Sequence, residues 1–119
     1  LKSSVTRLAV SPDGKKLAAH TYYNQGELVL FELPNGEALW RRTFTLNDAV
    51  GAVAFAPDGG AVVTTHADGT VRGWGAADGK EAFVRRGPAG YVWRLQLTAD
   101  GARAVTDAPG ATALVWGLK

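Results

Sequence analysis

Two histidines, His20 and His66, are the only side chains of this sequence whose ordinary titration lies near neutrality. Either could in principle ligate a metal or act as a general base. Neither has a carboxylate or a cysteine at ligand spacing, so both are read as ordinary residues at the ends of strands. Asp13, Asp58, Asp78 and Asp100 each stand immediately before a glycine. That placement is the one a hairpin turn requires, not that of paired carboxylates for acid–base work. Neither GxGxxG nor GxxxxGK[ST] precedes a helix, and GxSxG does not occur. No catalytic constellation is expected, and no cofactor or metal.

Two further groups could carry recognition. Tyr22, Tyr23 and Tyr91 fall near loops and are candidate protein-binding anchors, because binding hot spots favour aromatic residues. Trp93 is read as packing, since it falls inside a strand. Arg41, Arg42, Arg85 and Arg86 recur on two similar segments. They would form a basic rim for phosphates or acidic partners, or else guard an outer strand against pairing with other sheets; the second reading is preferred.

The chain of 119 residues has the length of one domain, with 46% hydrophobic and 20% charged residues. A net charge of +2 gives no electrostatic reason to expect nucleic acid. There is no cysteine, so disulfides and thiolate sites are excluded. No apolar run approaches the ~18 residues that suggest a membrane span. With no leader-like start, these features weakly favour the cytoplasm. The absence of methionine, with Leu1 first, suggests a processed or excised chain.

The elements that hold these residues come from an internal repeat. Ser11-Pro12-Asp13-Gly14, Ala56-Pro57-Asp58-Gly59 and Thr98-Ala99-Asp100-Gly101 align, with steps of 45 and 42 between their aspartates. Phe31, Trp74 and Trp116 follow, with steps of 43 and 42. Within each repeat the period is two: Leu8 with Val10, Val53 with Phe55 and Leu95 with Leu97 share faces of half-buried strands. Strands are predicted at 5–10, 15–21, 27–33 and 37–44; at 50–55, 60–66, 69–75 and 79–86; and at 91–97, 102–106 and 112–117. Each unit is then an antiparallel four-stranded meander, the last lacking its outer strand.

The pattern VxxVxFxPDG, a strand with threonine, ADGTVRGW, a short turn and GKE resembles the WD-repeat (WD40) family over essentially the whole chain. The resemblance implies an all-β fold of propeller blades, three WD40-like units at about 5–46, 50–88 and 91–119. It also implies a non-enzymatic scaffold for protein–protein interaction; from charge and the lack of a long apolar run, neither nucleic acid nor membrane is expected among its partners. A blade of this family carries a network of His, Ser or Thr, Asp and Trp. In the second unit Thr65 or Thr64, Asp68 and Trp74 fit, with Leu46 where the histidine would fall. In the third, Thr106 and Trp116 remain, while Gly110 replaces the aspartate and Pro88 the histidine. In the first, Phe31 replaces the tryptophan.

Propellers commonly have 4–8 blades, so three would not close a ring alone. Two chains would supply six. Blade completion by a second copy, or by the missing blades of a longer chain, is therefore expected. The alternative is a piece of a propeller enzyme or ligand-binding propeller whose active residues lie elsewhere.

Overall fold

The computed structural model describes residues 5–21, 26–45, 48–86, 95–108 and 112–118. They form eleven strands: β1 (Val5–Val10), β2 (Lys16–Thr21), β3 (Glu27–Glu32), β4 (Ala38–Thr43), β5 (Val50–Phe55), β6 (Ala61–His66), β7 (Thr70–Gly75), β8 (Glu81–Arg86), β9 (Leu95–Leu97), β10 (Arg103–Ala108) and β11 (Thr112–Gly117). These make three antiparallel sheets, ordered β1-β2-β3-β4, β5-β6-β7-β8 and β9-β10-β11. The fold is all-β and blade-like, as the repeat predicts. Strand β10 runs two residues past the predicted end, because its ladder continues through Asp107 opposite Ala113 and Ala108 opposite Thr112. The predicted start of the ninth strand, residues 91–94, lies outside the described residues.

The first turn of each sheet is built alike. Gly14, Gly59 and Gly101 have φ of 74°, 76° and 71°, the left-handed region that glycine enters without a Cβ clash. Their amides donate to the carbonyls of Ser11, Ala56 and Thr98 at 2.8–2.9 Å. The Oδ1 atoms of Asp13, Asp58 and Asp100 accept from the amide two residues on, at 2.9, 2.8 and 2.9 Å. These three aspartates thus spend an oxygen on their own backbone.

Directly opposed residues of a ladder share a face, so the registers assign each sheet two faces. The leading face of the second sheet carries Val53, Phe55, Val62, Thr64 and Trp74. The trailing face of the first carries Ala9, Ala18, Leu28, Leu30 and Trp40. These two faces meet in one apolar cluster, with Phe44, Val50 and Ala76. Val63, Val71 and Phe83 of the second sheet meet Leu95, Leu97, Ala104 and Trp116 of the third in the same manner. Full burial of one such Val, Leu or Phe stabilises by roughly 1.5–3 kcal/mol.

Polar ties cross the junction of the first two sheets. Arg7 Nε donates to Gly51 O at 3.0 Å, and Trp40 Nε1 to Ala76 O at 3.0 Å. The Trp40 ring lies against Gly79, where a Cβ would come within 2.6 Å of it.

Leu8 and Val10 share a face, and they are 59% and 57% exposed. Their face leads the first sheet, and among the described residues no sheet packs on it as the first packs on the second. At the other end Val115, on the trailing face of the third sheet, is 65% exposed.

Candidate functional site: the loop end of the middle sheet

The polar side chains converge most densely where β6 ends, β7 begins and the chain enters β5. Thr64 and His66 are two apart on β6, so alternation puts both on the leading face with Trp74. Trp74 Nε1 donates to Thr64 Oγ1 at 2.9 Å. Thr64 Oγ1 and His66 Nε2 are 2.7 Å apart, as are His66 Nδ1 and the Asp48 carbonyl oxygen. A carbonyl can only accept, so Nδ1 carries the hydrogen and Nε2 of the neutral ring accepts from the Thr64 hydroxyl. The bonds therefore run one way, from indole to hydroxyl to imidazole to backbone. Thr64 and His66 are wholly buried. Burial drives the imidazole down to about 4, against the opposing pull of its bond to Asp48. The Phe44 ring closes the pocket, 5.0 Å from His66 and 5.7 Å from Trp74 between centroids.

A charged cluster adjoins this wire. Asp68 Oδ1 accepts from the Thr70 amide at 3.0 Å and the Thr70 hydroxyl at 2.6 Å, and Asp68 Oδ2 from Arg72 at 2.7 Å. Burial pushes the Asp68 carboxyl up, but these bonds outweigh it and hold it below the ordinary value. Arg72 also lies 3.7 Å from Asp48 Oδ2. Asp48 Oδ1 in turn accepts from the Thr45 amide and hydroxyl at 2.7 and 2.9 Å. The segment entering β5 is thus held from β6 by His66 and from β7 by Arg72.

The predicted network residues fall out as follows. Trp74 bonds Thr64, whereas Thr65 lies on the opposite face: Thr65 pairs with Ala52 and Val71, Thr64 with Val53 and Arg72. The expectation for Thr65 is corrected by that one-residue shift, which reverses the face. Asp68 braces Thr70 and Arg72 rather than the wire itself. Trp116 Nε1 donates to Thr106 Oγ1 at 2.8 Å, repeating the indole–hydroxyl bond in the third sheet. In the first sheet Phe31 and Ala19 occupy these positions, so donor and acceptor are replaced together. Leu46, Pro88 and Gly110, with Tyr22, Tyr23, Tyr91 and Trp93, lie outside the described residues.

His66 was the residue that sequence reasoning missed. Its signal is present in Thr64-x-His66, which places both on the Trp74 face, whereas the resemblance puts the histidine at position 46. His20, by contrast, is buried on the trailing face of the first sheet, where burial and then Arg7 lower it to about 4.

The outer-strand arginines do more than guard an edge. The Arg42 and Arg85 guanidinium carbons lie 5.8 and 5.4 Å from the ring centroids of Trp40 and Phe83. Arg85 also donates to Gly117 O at 3.2 Å and Leu118 O at 3.5 Å, tying β8 to the third sheet. Arg41 pairs with Glu27 at 2.7 Å. An open cleft of about 300 Å³ lies between the turns at Ala56–Asp58 and Ala99–Gly101. Among the described residues no group of three or more His, Cys, Asp or Glu is placed to hold a metal ion. No helix among them is long and apolar enough to cross a membrane.

Residues 40–75 match the WD40 family model, described as WD domain, G-beta repeat. No match was found among curated proteins. The matched stretch runs from Trp40 in β4 to Gly75 at the end of β7, so it straddles the junction of the first two sheets.

Proposed function

Taking the WD40 repeat at residues 40–75 as premise, we propose that this chain is a non-enzymatic interaction scaffold whose end faces seat further blades. Those blades come from a second copy or from the remainder of a longer chain. A WD40 repeat goes with a protein-interaction role, and the face equivalence of the three sheets supports the rest. Leu8, Val53 and Leu95 are equivalent, as are Val10, Phe55 and Leu97. In the second and third sheets these positions pack against the preceding sheet, and Phe55 is 9% exposed. In the first sheet the same apolar positions stand open, Leu8 at 59% and Val10 at 57%. An apolar face repeated at a covered position is a face built to be covered.

Tyr22, Tyr23 and Tyr91 are proposed as protein-binding anchors. The test for these is capture from extract by the native chain and by Tyr22→Ala with Tyr23→Ala; an unchanged set of captured species would remove the case for that loop. The blade-seating reading is tested by light scattering on the native chain and on Leu8→Glu with Val10→Glu. Loss of association in the variant, with Leu39→Glu on the outer strand behaving as native, is expected. Equal association in all three would overturn it.

A further inference from the structure

We propose that His66 is an acid-released latch: a proton taken up at Nε2 displaces the Thr64 hydroxyl, the imidazolium turns from the Asp48 carbonyl to the carboxylates beside it, and Asp48 and Ala49 are freed at the entry to β5. This inference is independent of what covers the end faces.

The geometry has three parts. First, the bond from the Thr64 hydroxyl needs Nε2 bare and so holds only the neutral ring, whereas the Nδ1–H bond to Asp48 O is open to either charge state. Once Nε2 carries a hydrogen it points at the Thr64 oxygen, which already accepts from Trp74 at 2.9 Å, and the hydroxyl hydrogen must find a new acceptor. Second, the ring is fully buried, so an added charge is not solvated where it stands. Third, the groups around it favour one direction of escape. From the segment before β5 come the Asp48 carboxylate and Thr45; from the turn before β7, Asp68; from β7, Arg72; from its own strand, Thr64; and the Phe44 ring lies over it. Arg72 grips Asp68 at 2.7 Å but Asp48 at only 3.7 Å. The Asp48 carboxylate is thus the less committed anion. An imidazolium that takes it must give up the Asp48 carbonyl, which it now holds at 2.7 Å. The neighbouring bond from the Ala67 amide to Ala49 O, 2.8 Å, then loses its support.

The titration of the group agrees with this direction. Held at about 4 when latched and near the ordinary 6.5 when released, His66 favours the released form as pH falls. Between those values the opening equilibrium should rise about tenfold per pH unit. Above 6.5 the latch is fully closed, and below about 4 the slope vanishes.

The test is imidazole ¹⁵N NMR together with native-state hydrogen exchange of the 119-residue chain from pH 7.5 to 4, corrected for intrinsic exchange. The expected results are an Nδ1–H tautomer at neutral pH, a midpoint well below 6, and protection at the Ala67 amide falling about tenfold per unit. Protection of Val105 in β10 should fall far less. His66→Gln should flatten the Ala67 dependence, and His20→Gln should leave it. If His66→Gln does not fold, the native chain alone decides. An Nε2–H tautomer, a midpoint at 6 or above, or equal pH slopes at Ala67 and Val105 would overturn the proposal.

Discussion

The first and second sheets are built on the same strand plan yet solve the same position differently. In the second, the leading face is dry: Val62 is fully buried and Trp74 is 6% exposed, and the indole is wired through Thr64 to His66. In the first, Phe31 and Ala19 replace the Trp–Thr pair, and Leu8 and Val10 stand open. The contrast separates two sources of stability. Coverage of a face comes from the neighbouring sheet, whereas the indole and the hydroxyl are kept or lost together, because either one alone would leave a buried polar group without its partner.

The largest effect that could break this contrast lies in the shared core. Leu28→Ala removes a wholly buried side chain facing the second sheet and should cost about 2–5 kcal/mol in urea unfolding. Leu8→Ala, on the open face, should stay within about 0.5 kcal/mol. Comparable costs at a concentration where the chain is monomeric would mean that the leading face is covered within the chain itself. Next, Thr64→Val strips both Trp74 and His66 of a partner and should cost about 1–3 kcal/mol for each orphaned group. A smaller, sharper test lies in the third sheet. Thr106→Ala and Trp116→Phe each break the 2.8 Å bond, while the pair reproduces the solution of the first sheet. The double variant should therefore be more stable than the summed single costs imply, by about 0.5 kcal/mol or more. Strict additivity would show the bond to be worthless there.

A further effect is spread over pH. His20 and His66 are both lowered to about 4 in the folded chain from an ordinary 6.5. The unfolded chain binds their protons first, so their contribution is complete above about pH 6.5 and is lost as pH falls toward 4. Unfolding midpoints measured at pH 7.5, 5.5 and 4.5 should fall in that order, and His66→Gln should reduce the decline.

The strand plan was legible because alternation and Asp-Gly turns are local properties. Ala56-Pro57-Asp58-Gly59 carries its own geometry wherever it stands. That the end faces stand open follows from the count of three units, whereas Leu8 itself reads like Val53 and differs only in what lies against it. Thr64 and Thr65 were equally hard to separate, since which of them shares the Trp74 face depends on the register that sets Val62 opposite Trp74. His66 was missed because its partners are a hydroxyl two residues back and a backbone carbonyl 18 residues away, neither of which forms a ligand motif. Arg85 could be placed on an outer strand, but its reach to Gly117 O and Leu118 O depends on how two sheets meet.

Sedimentation velocity of the purified 119-residue chain across a wide concentration range tests most directly whether the leading face of the first sheet requires a neighbour. The account predicts a folded chain whose mass rises with concentration above 12.5 kDa. A cooperatively folded species holding at 12.5 kDa throughout would contradict it.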